Sequence, residues 1–396
     1  MFLRFCAIFV LKNRVKTVKC KYMFTFAKEV FMIKVLHIIT DTNIGGAGIL
    51  LKNLLLSLDK EVISSAVLLP KGSALAPILS PLCPVYETNV KGDSSLHIPD
   101  IFKYKKAISK IPCDIVHTHG ATSARIGAKM LGKTTVMTRH CAFEPKIMNK
   151  FPFRQINSRV YGKYTDFCIA TAEAAKENLL SMGVDESKIR VIINASLPQK
   201  EIGENEKRAL KESLGIRRGE LCVGMIARLE EYKGHKTVID AARLLCDRGI
   251  KFFFLGSGSA ESELRDYAQG VDCVRFLGFC QDVYRYLNIF DVVISASFGT
   301  ETSCLALSEA MSLGVPCIVS DFGGNPDMID EGSGIIFPAR DAGALADAIL
   351  SLKENPHRLD SLSAGARARY LSHFTPDRMA EEYTDVYESL VCRERG

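Results

Sequence analysis

The sequence predicts an α/β protein of two doubly wound domains, and three features carry that prediction. Apolar runs of strand length alternate with helix-length amphipathic stretches along most of the chain. The alternation is interrupted by the polar, charged stretch Leu197 to Lys207 and then restarts. Glycine-rich turns recur where a strand-length run gives way to a helix-length stretch. Such alternation produces parallel sheets covered on both faces, and open sheets of this type bind ligands beyond the carboxyl ends of their strands. With 396 residues and a hydrophobic fraction of 47%, the chain is long enough to fill two cores.

Ile33 to Ile39 reads as the first strand and Ala47 to Leu58 as the first helix. A strand near Ser65 to Leu69, a helix near Ile101 to Ser109, a strand at Asp114 to His117 and a helix at Ser123 to Leu131 follow. Thr134 to Met137, Phe167 to Ala170 and Val191 to Ile193 read as further strands with helices between them. The first domain therefore covers 32–195, and the chain passes to the second near residue 196. There the strands are expected at Leu221 to Ile226, Phe252 to Leu255, Val274 to Leu277, Val292 to Ser295 and Cys317 to Ser320, each trailed by a helical segment.

Charge is unevenly distributed. Residues 1–31 carry seven Lys or Arg against one acid, Glu29, which equals the formal +6 of the whole chain. Met32 directly precedes the first strand, so the expectation is that Met32 is the natural start and 1–31 is upstream sequence; a basic surface anchor is the alternative. The thirteen cysteines are an odd number without a Cys-x-x-Cys, and many fall in apolar strands. That pattern points to reduced thiols in a cytoplasmic protein rather than disulfides or zinc. No apolar run reaches the roughly 20 residues of a membrane helix.

Glu301 and Glu309 stand eight residues apart, between a predicted strand ending at Ser295 and another starting near Pro316. A pair at this spacing is ordinarily a solvated helix face; its setting at a strand's carboxyl end points instead to a ligand cleft. Gly45-Gly46-Ala47-Gly48 joins the first strand to the first helix, where it serves either phosphate approach to the backbone or packing. The second strand region, Val67 to Lys71, lacks the acid that a dinucleotide site would want, which disfavours NAD. Arg228 at a strand end and Lys233 at a helix start can together neutralise a diphosphate, or be ordinary surface charge. Gly256-Ser257-Gly258 is another strand-to-helix turn, suited to backbone contact with a nucleotide base. Of the two histidines in Asp114 to Gly120, His117 is assigned to the core and His119 to the cleft.

In order, Gly45-Gly46, His119, Arg228, Lys233, Gly256-Ser257-Gly258, Glu301, Glu309 and the run Gly323 to Ile329 resemble family 4 of the retaining glycosyltransferases. The resemblance runs from about Ile33 to the C-terminus and is strongest from Val223 to Pro338. It implies the GT-B architecture, with two doubly wound Rossmann-like domains and the active site in the interdomain cleft, the acceptor side in 32–195, nucleotide-sugar binding in 196–375, and a final helix at 376–396 packing back on the first domain. It further implies that Arg228 and Lys233 hold the diphosphate, that Glu309 binds the ribose hydroxyls and that Glu301 contacts the sugar. The amides of Thr302, Ser303, Cys304 and Leu305 would face sugar and phosphate, Gly46 would approach the phosphate from the other domain, and His119 would lie beside the reacting sugar. Thr302 and Cys304 stand where the family often has glycine, and Asn194-Ala195 where it usually has Asn-Gly.

The implied reaction moves a sugar from a nucleotide-diphosphate-sugar to a glycan or lipid-linked acceptor in cell-surface polysaccharide assembly, such as lipopolysaccharide or capsule. No Asp-x-Asp occurs, so neither a metal nor a resident cofactor is expected, and no nucleic-acid partner. Basic and apolar residues mix in Phe143 to Lys163, which reads either as an element resting on an anionic membrane surface, at the inner face of the plasma membrane, or as a covered helix with a solvated basic face. A nucleotide-sugar epimerase of the same architecture and a non-catalytic nucleotide-sugar-binding protein are the alternatives.

Overall fold

The structure, a computed structural model, describes residues 32–141 and 153–395. The N-terminal part forms a parallel sheet of seven strands: β1 (Ile33–Ile39), β2 (Ile63–Pro70), β3 (Val85–Thr88), β4 (Ile115–His119), β5 (Thr134–Arg139), β6 (Phe167–Ala170) and β7 (Ile189–Val191). Their order is β3-β2-β1-β4-β5-β6-β7. A second, six-stranded parallel sheet contains β8 (Leu221–Ile226), β9 (Ile250–Leu255), β10 (Val274–Gly278), β11 (Val292–Ser295), β12 (Cys317–Ser320) and β13 (Gly334–Phe337), in the order β10-β9-β8-β11-β12-β13. Both sheets reverse direction of strand addition beside their first strand, and ligands bind outside strand ends at such switch points.

The central strands were legible because helices cover both faces. Along β9, Phe252 and Phe254 pack with Val238 and Leu345 on one side, while Phe253 and Leu255 pack with Leu307 and Met311 on the other. An apolar side chain is thus favoured at every position, which gives continuous runs. The edge strands β3 and β13 escaped the sequence reading. Each has four residues, and the exposed Tyr86 and Ile336 show why their pattern is weak. Several boundaries also moved. One helix spans Ile98–Ile108 rather than starting at Ile101, because Pro99 sits in its first turn, where a missing N–H costs nothing. The strand expected at Val191 to Ile193 lies at Ile189–Val191.

After the second sheet, the helix Pro376–Arg395 returns to the first. Met379, Tyr383, Val386 and Tyr387 are buried with Val35, Leu54 and Ile115, so the last residues of the chain complete the core begun by the first strand. Fully burying each such apolar side chain contributes about 1.5–3 kcal/mol. Among the described residues, no helix is long and apolar enough to cross a membrane.

Candidate functional site

The site is built where loops leaving the carboxyl ends of both sheets meet. On the second domain, β8 ends in a turn that carries Arg228, and Gly256 and Gly258 let the following crossover lie directly on that turn. A Cβ at Gly256, whose φ is +142°, would come within 2.0 Å of the Ala227 carbonyl, and one at Gly258 within 2.3 Å of the Leu229 carbonyl. The close approach these glycines allow is therefore to the turn holding Arg228. The exposed Arg228 guanidinium donates to the Tyr232 hydroxyl at 2.7 Å, which fixes its direction.

Lys233 and Glu301 are brought together from separate strand exits, Nζ to Oε2 2.5 Å, with side chains 15% and 10% exposed. Ser297 donates a second hydrogen bond to the same carboxylate oxygen at 2.8 Å. Burial opposes the Lys233 charge, but Glu301 outweighs it and holds the ammonium above the ordinary lysine range. Arg228, Lys233, Ser297, Glu301 and Cys304 line one cavity of about 130 Å³. Cys304 leads into the helix Leu305–Ser312, whose first turn carries no acid; the Ala306 and Leu307 amides point back at the Cys304 side chain, and the Leu307 amide also donates to the Cys304 carbonyl at 3.1 Å. Burial first, then the nearby Glu301, pushes the Cys304 thiol up to about 12, so it stays protonated and is no nucleophile.

Glu309 does not line that cavity. It lies on the helix Leu305–Ser312, partly exposed, yet desolvation of its carboxyl pushes the pKa up to about 7. The turn Gly323-Gly324 seats the Glu301 loop. A Cβ at Gly323 would stand 2.5 Å from the Glu301 carbonyl, and one at Gly324 2.1 Å from the Thr302 carbonyl. Asn325 locks the same region by donating to Ser320 Oγ at 2.9 Å and accepting from Ser295 Oγ at 3.1 Å.

Thr302 and Ser303 meet the first domain through their side chains. Thr302 Oγ1 donates to the His140 carbonyl at 3.3 Å, Ser303 Oγ donates to the Thr171 carbonyl, and the Asn194 amide donates to Ser303 Oγ at 3.3 Å. On the first domain, Gly45 caps the helix Gly46–Ser57. A Cβ on Gly46 would meet nothing within 4 Å, so packing does not explain that glycine, whereas one on Gly48 would strike the buried Leu75 at 2.4 Å. The leading glycines are the ones that leave the backbone open.

The two histidines of β4 are both buried, which corrects half of the sequence reading. His117 is a satisfied core residue, held by the Tyr387 hydroxyl and Thr138 Oγ1, each at 2.7 Å. His119 ends the strand rather than following it, is only 4% exposed, and lies between His37 (3.4 Å) and His140 (3.0 Å). It does not face an open cleft. Burial pushes all four rings toward the neutral form, His37 to about 3 and His140 to about 4, with His117 and His119 well below the usual range. One nitrogen each of His37, His117 and His119 falls within 4.8 Å of the others. Because both nitrogens of His117 are engaged by hydroxyls, the group is read as hydrogen-bonded imidazoles rather than a metal shell.

Sequence reasoning missed His37, His140, Tyr232 and Ser297. A signal existed for His37: β1 and β4 are neighbours in a doubly wound sheet, and the register sets His37 opposite His117. Tyr232 and Ser297 carried none, since an aromatic and a serine in loops look like any others. Of the Phe143 to Lys163 segment, 143–152 lie outside the described residues; the remainder lies in the helix Phe153–Tyr164.

Residues 206–369 match the family described as Glycosyl transferases group 1, and residues 44–195 match Glycosyltransferase Family 4. The chain belongs to this family of glycosyltransferases and has its GT-B fold. It is 27% identical over 303 residues to a UDP-Gal:alpha-D-GlcNAc-diphosphoundecaprenol alpha-1,3-galactosyltransferase of Escherichia coli, covering 72% of this chain and 78% of that one. It is also 29% identical over 229 residues to the amylovoran biosynthesis glycosyltransferase AmsK of Erwinia amylovora, 54% of each chain. Among solved structures, Anabaena Alr3699/HepE in complex with UDP superposes with a TM-score of 0.79 at 19% identity, over 90% of this chain and all of that one.

Proposed function

We propose that this glycosyltransferase moves a sugar, with retention of anomeric configuration, from a nucleoside-diphosphate sugar to a lipid-linked or growing glycan acceptor. The observation that carries the reading is the convergence of Arg228, Lys233 and the N-terminal end of the helix Leu305–Ser312 on one cavity with Glu301 beside them. Two cations and a helix N-terminus form a receptor for a diphosphate.

As the bond between sugar and diphosphate breaks, negative charge gathers on the leaving phosphate. Arg228 and Lys233 are already fixed, by Tyr232 and Glu301 respectively, so stabilising that charge costs no reorganisation. Side chains supply the positive charge here, and we assign no metal ion to the step. The departing phosphate oxygen takes the acceptor hydroxyl proton, and the acceptor oxygen enters on the face that the phosphate leaves. Glu301 orients Lys233 and the sugar hydroxyls and is not a nucleophile. Glu309 accepts hydrogen bonds from the ribose.

A uridine diphosphate sugar is the first donor to test, because HepE is known in complex with UDP and the E. coli relative is named for UDP-Gal. The same relative, named for a diphosphoundecaprenol acceptor, supports the lipid-linked choice. A thermal-shift panel of nucleotide sugars identifies the donor, since a ligand at 100 times its Kd stabilises by about 2.7 kcal/mol. Product analysis with that donor tests the reaction: a glycosylated acceptor supports it, free epimerised sugar indicates an epimerase, and neither product overturns catalysis.

A further inference from the structure

We infer that Arg340, just past the end of β13, is a positioning residue for the transfer step, acting through Phe298 on the loop that carries Glu301; the inference rests on the role proposed for Glu301. A backbone outlier points to it. Arg340 has φ +68°, and among the described residues Asp93 is the one other non-glycine residue with positive φ. The Asp341 amide donates to the Pro338 carbonyl at 3.0 Å, so Arg340 takes the third position of a four-residue turn. Positive φ at that position is the pattern that asks for glycine. A residue with a side chain is strained there, and such strain persists only where the surroundings hold it.

Both neighbours of Arg340 are pinned. The Ala339 amide donates to Asp321 Oδ1 at 2.8 Å, and Asp341 caps the helix Ala342–Glu354 by accepting from the Ala344 amide at 2.9 Å. Glycine would make the same turn without strain, so the turn does not explain an arginine. Its side chain does: the guanidinium carbon lies 3.9 Å from the centroid of the half-buried Phe298 ring, within reach of a cation–π interaction. A planar guanidinium suits stacking on an aromatic face better than a compact ammonium does.

Phe298 lies just past β11, directly after Ser297 and three residues before Glu301. Several strand exits grip this segment. The Phe298 amide donates to the carbonyl of Tyr232, which follows β8, at 2.9 Å, and the Ser297 carbonyl accepts from Ser320 Oγ, at the end of β12, at 2.6 Å. A Cβ on Gly299 would stand 2.4 Å from Tyr232 Cβ, so Tyr232 backs the next residue too. Arg340 adds the hold on the Phe298 side chain, from β13. Ser297 Oγ in turn bonds the same Glu301 oxygen that receives Lys233. Displacing Phe298 therefore disturbs the neighbour that fixes the carboxylate, and a misplacement of about 1 Å can slow a reaction by about 10²-fold. Arg340 does not itself line the cavity of Arg228, Lys233 and Glu301, so its effect passes through the loop.

The test uses the full chain. Arg340→Gly and Arg340→Asn both suit a positive φ and remove the stack, and Phe298→Leu removes the ring. Hydrogen exchange reads the loop without any ligand: residues 297–301 should exchange roughly threefold faster in all three variants. The helix Ala342–Glu354 should keep its wild-type protection, and Arg340→Gly should melt no lower than wild type. In UDP release from UDP-galactose, kcat should fall roughly tenfold at unchanged KM and unchanged UDP affinity. Arg340→Asn combined with Phe298→Leu should lose no more than either change alone, because the two residues act as one unit. Unchanged exchange at 297–301, faster exchange with wild-type kcat, or additive losses in the double variant overturns the inference. UDP titration of the wild type reports on the donor site separately. Faster exchange in the variants of a wild type that binds no UDP supports the hold on the loop and sinks the donor-site reading.

Discussion

Lys233 and Glu301, 68 residues apart in sequence, form an ion pair of 2.5 Å at the second domain's edge, and Ser297 bonds the same carboxylate oxygen. The pair has both a structural and a chemical role, and the two can be separated. Removing one partner of a buried pair costs about 3–5 kcal/mol, because the other charge is left desolvated.

Lys233→Met and Glu301→Gln should therefore each lower the denaturation midpoint, whereas the double variant should recover most of the loss. Turnover should not recover: Lys233→Met and the double variant should both be slower by about 10²-fold or more, comparable to losing one preorganised donor. Denaturation and single-turnover transfer assays on the three variants check this, and recovery of activity in the double variant would remove Lys233 from the reaction.

Glu309 should give the protein a pH signature. Its carboxyl ionises near 4.5 when unfolded and at about 7 in the fold, through desolvation. Between those values the unfolded chain binds fewer protons, so this group's contribution to stability falls as pH rises. Replacing it by Gln should raise the melting temperature relative to wild type increasingly from pH 4.5 to 7, with a plateau above. Melting curves across that range test the sign. If Glu309 accepts the ribose hydroxyls, the same variant should bind UDP more weakly at pH 8, while Glu301→Gln should spare UDP affinity and damage transfer.

Glycines in the two domains should behave oppositely. Gly46→Leu meets no atom within 4 Å of the new Cβ and should keep its melting temperature while weakening donor binding, because the side chain fills the space open above the helix start. Gly324→Ala places a Cβ 2.1 Å from the Thr302 carbonyl and 2.7 Å from Ala172. That overpacking should cost about 1–3 kcal/mol and displace the Glu301 loop. Unfolding curves and UDP titration of both variants distinguish these outcomes.

Tyr387→Phe should destabilise without touching the donor cavity. It removes the hydroxyl 2.7 Å from His117 Nδ1 and leaves a buried nitrogen unpaired, a cost of about 1–3 kcal/mol. A reduced denaturation midpoint with unchanged UDP affinity is the expected result, and an unchanged midpoint would mean that His117 finds another partner.

The sequence by itself determined the alternation of central strands and helices, the two-sheet architecture and the identity of the residues at the strand exits. Strands covered on both faces must be continuously apolar, and helix starts that approach a ligand need glycine, so both leave marks in one dimension. It also marked His117 as a core residue, whereas His119, expected in the cleft, proved to be buried as well. Tertiary structure decided what depends on distant segments meeting. Tyr232 turns Arg228 within one loop, whereas the pairing of Lys233 with Glu301 and the burial of His119 between His37 and His140 arise from different strands and their exits. So does the docking of Thr302 on the His140 carbonyl, which uses a hydroxyl that glycine would lack. Hydrogen bonds and ion pairs of this kind act over a few ångströms and impose no periodicity on the chain, so only the folded coordinates show which partners they join.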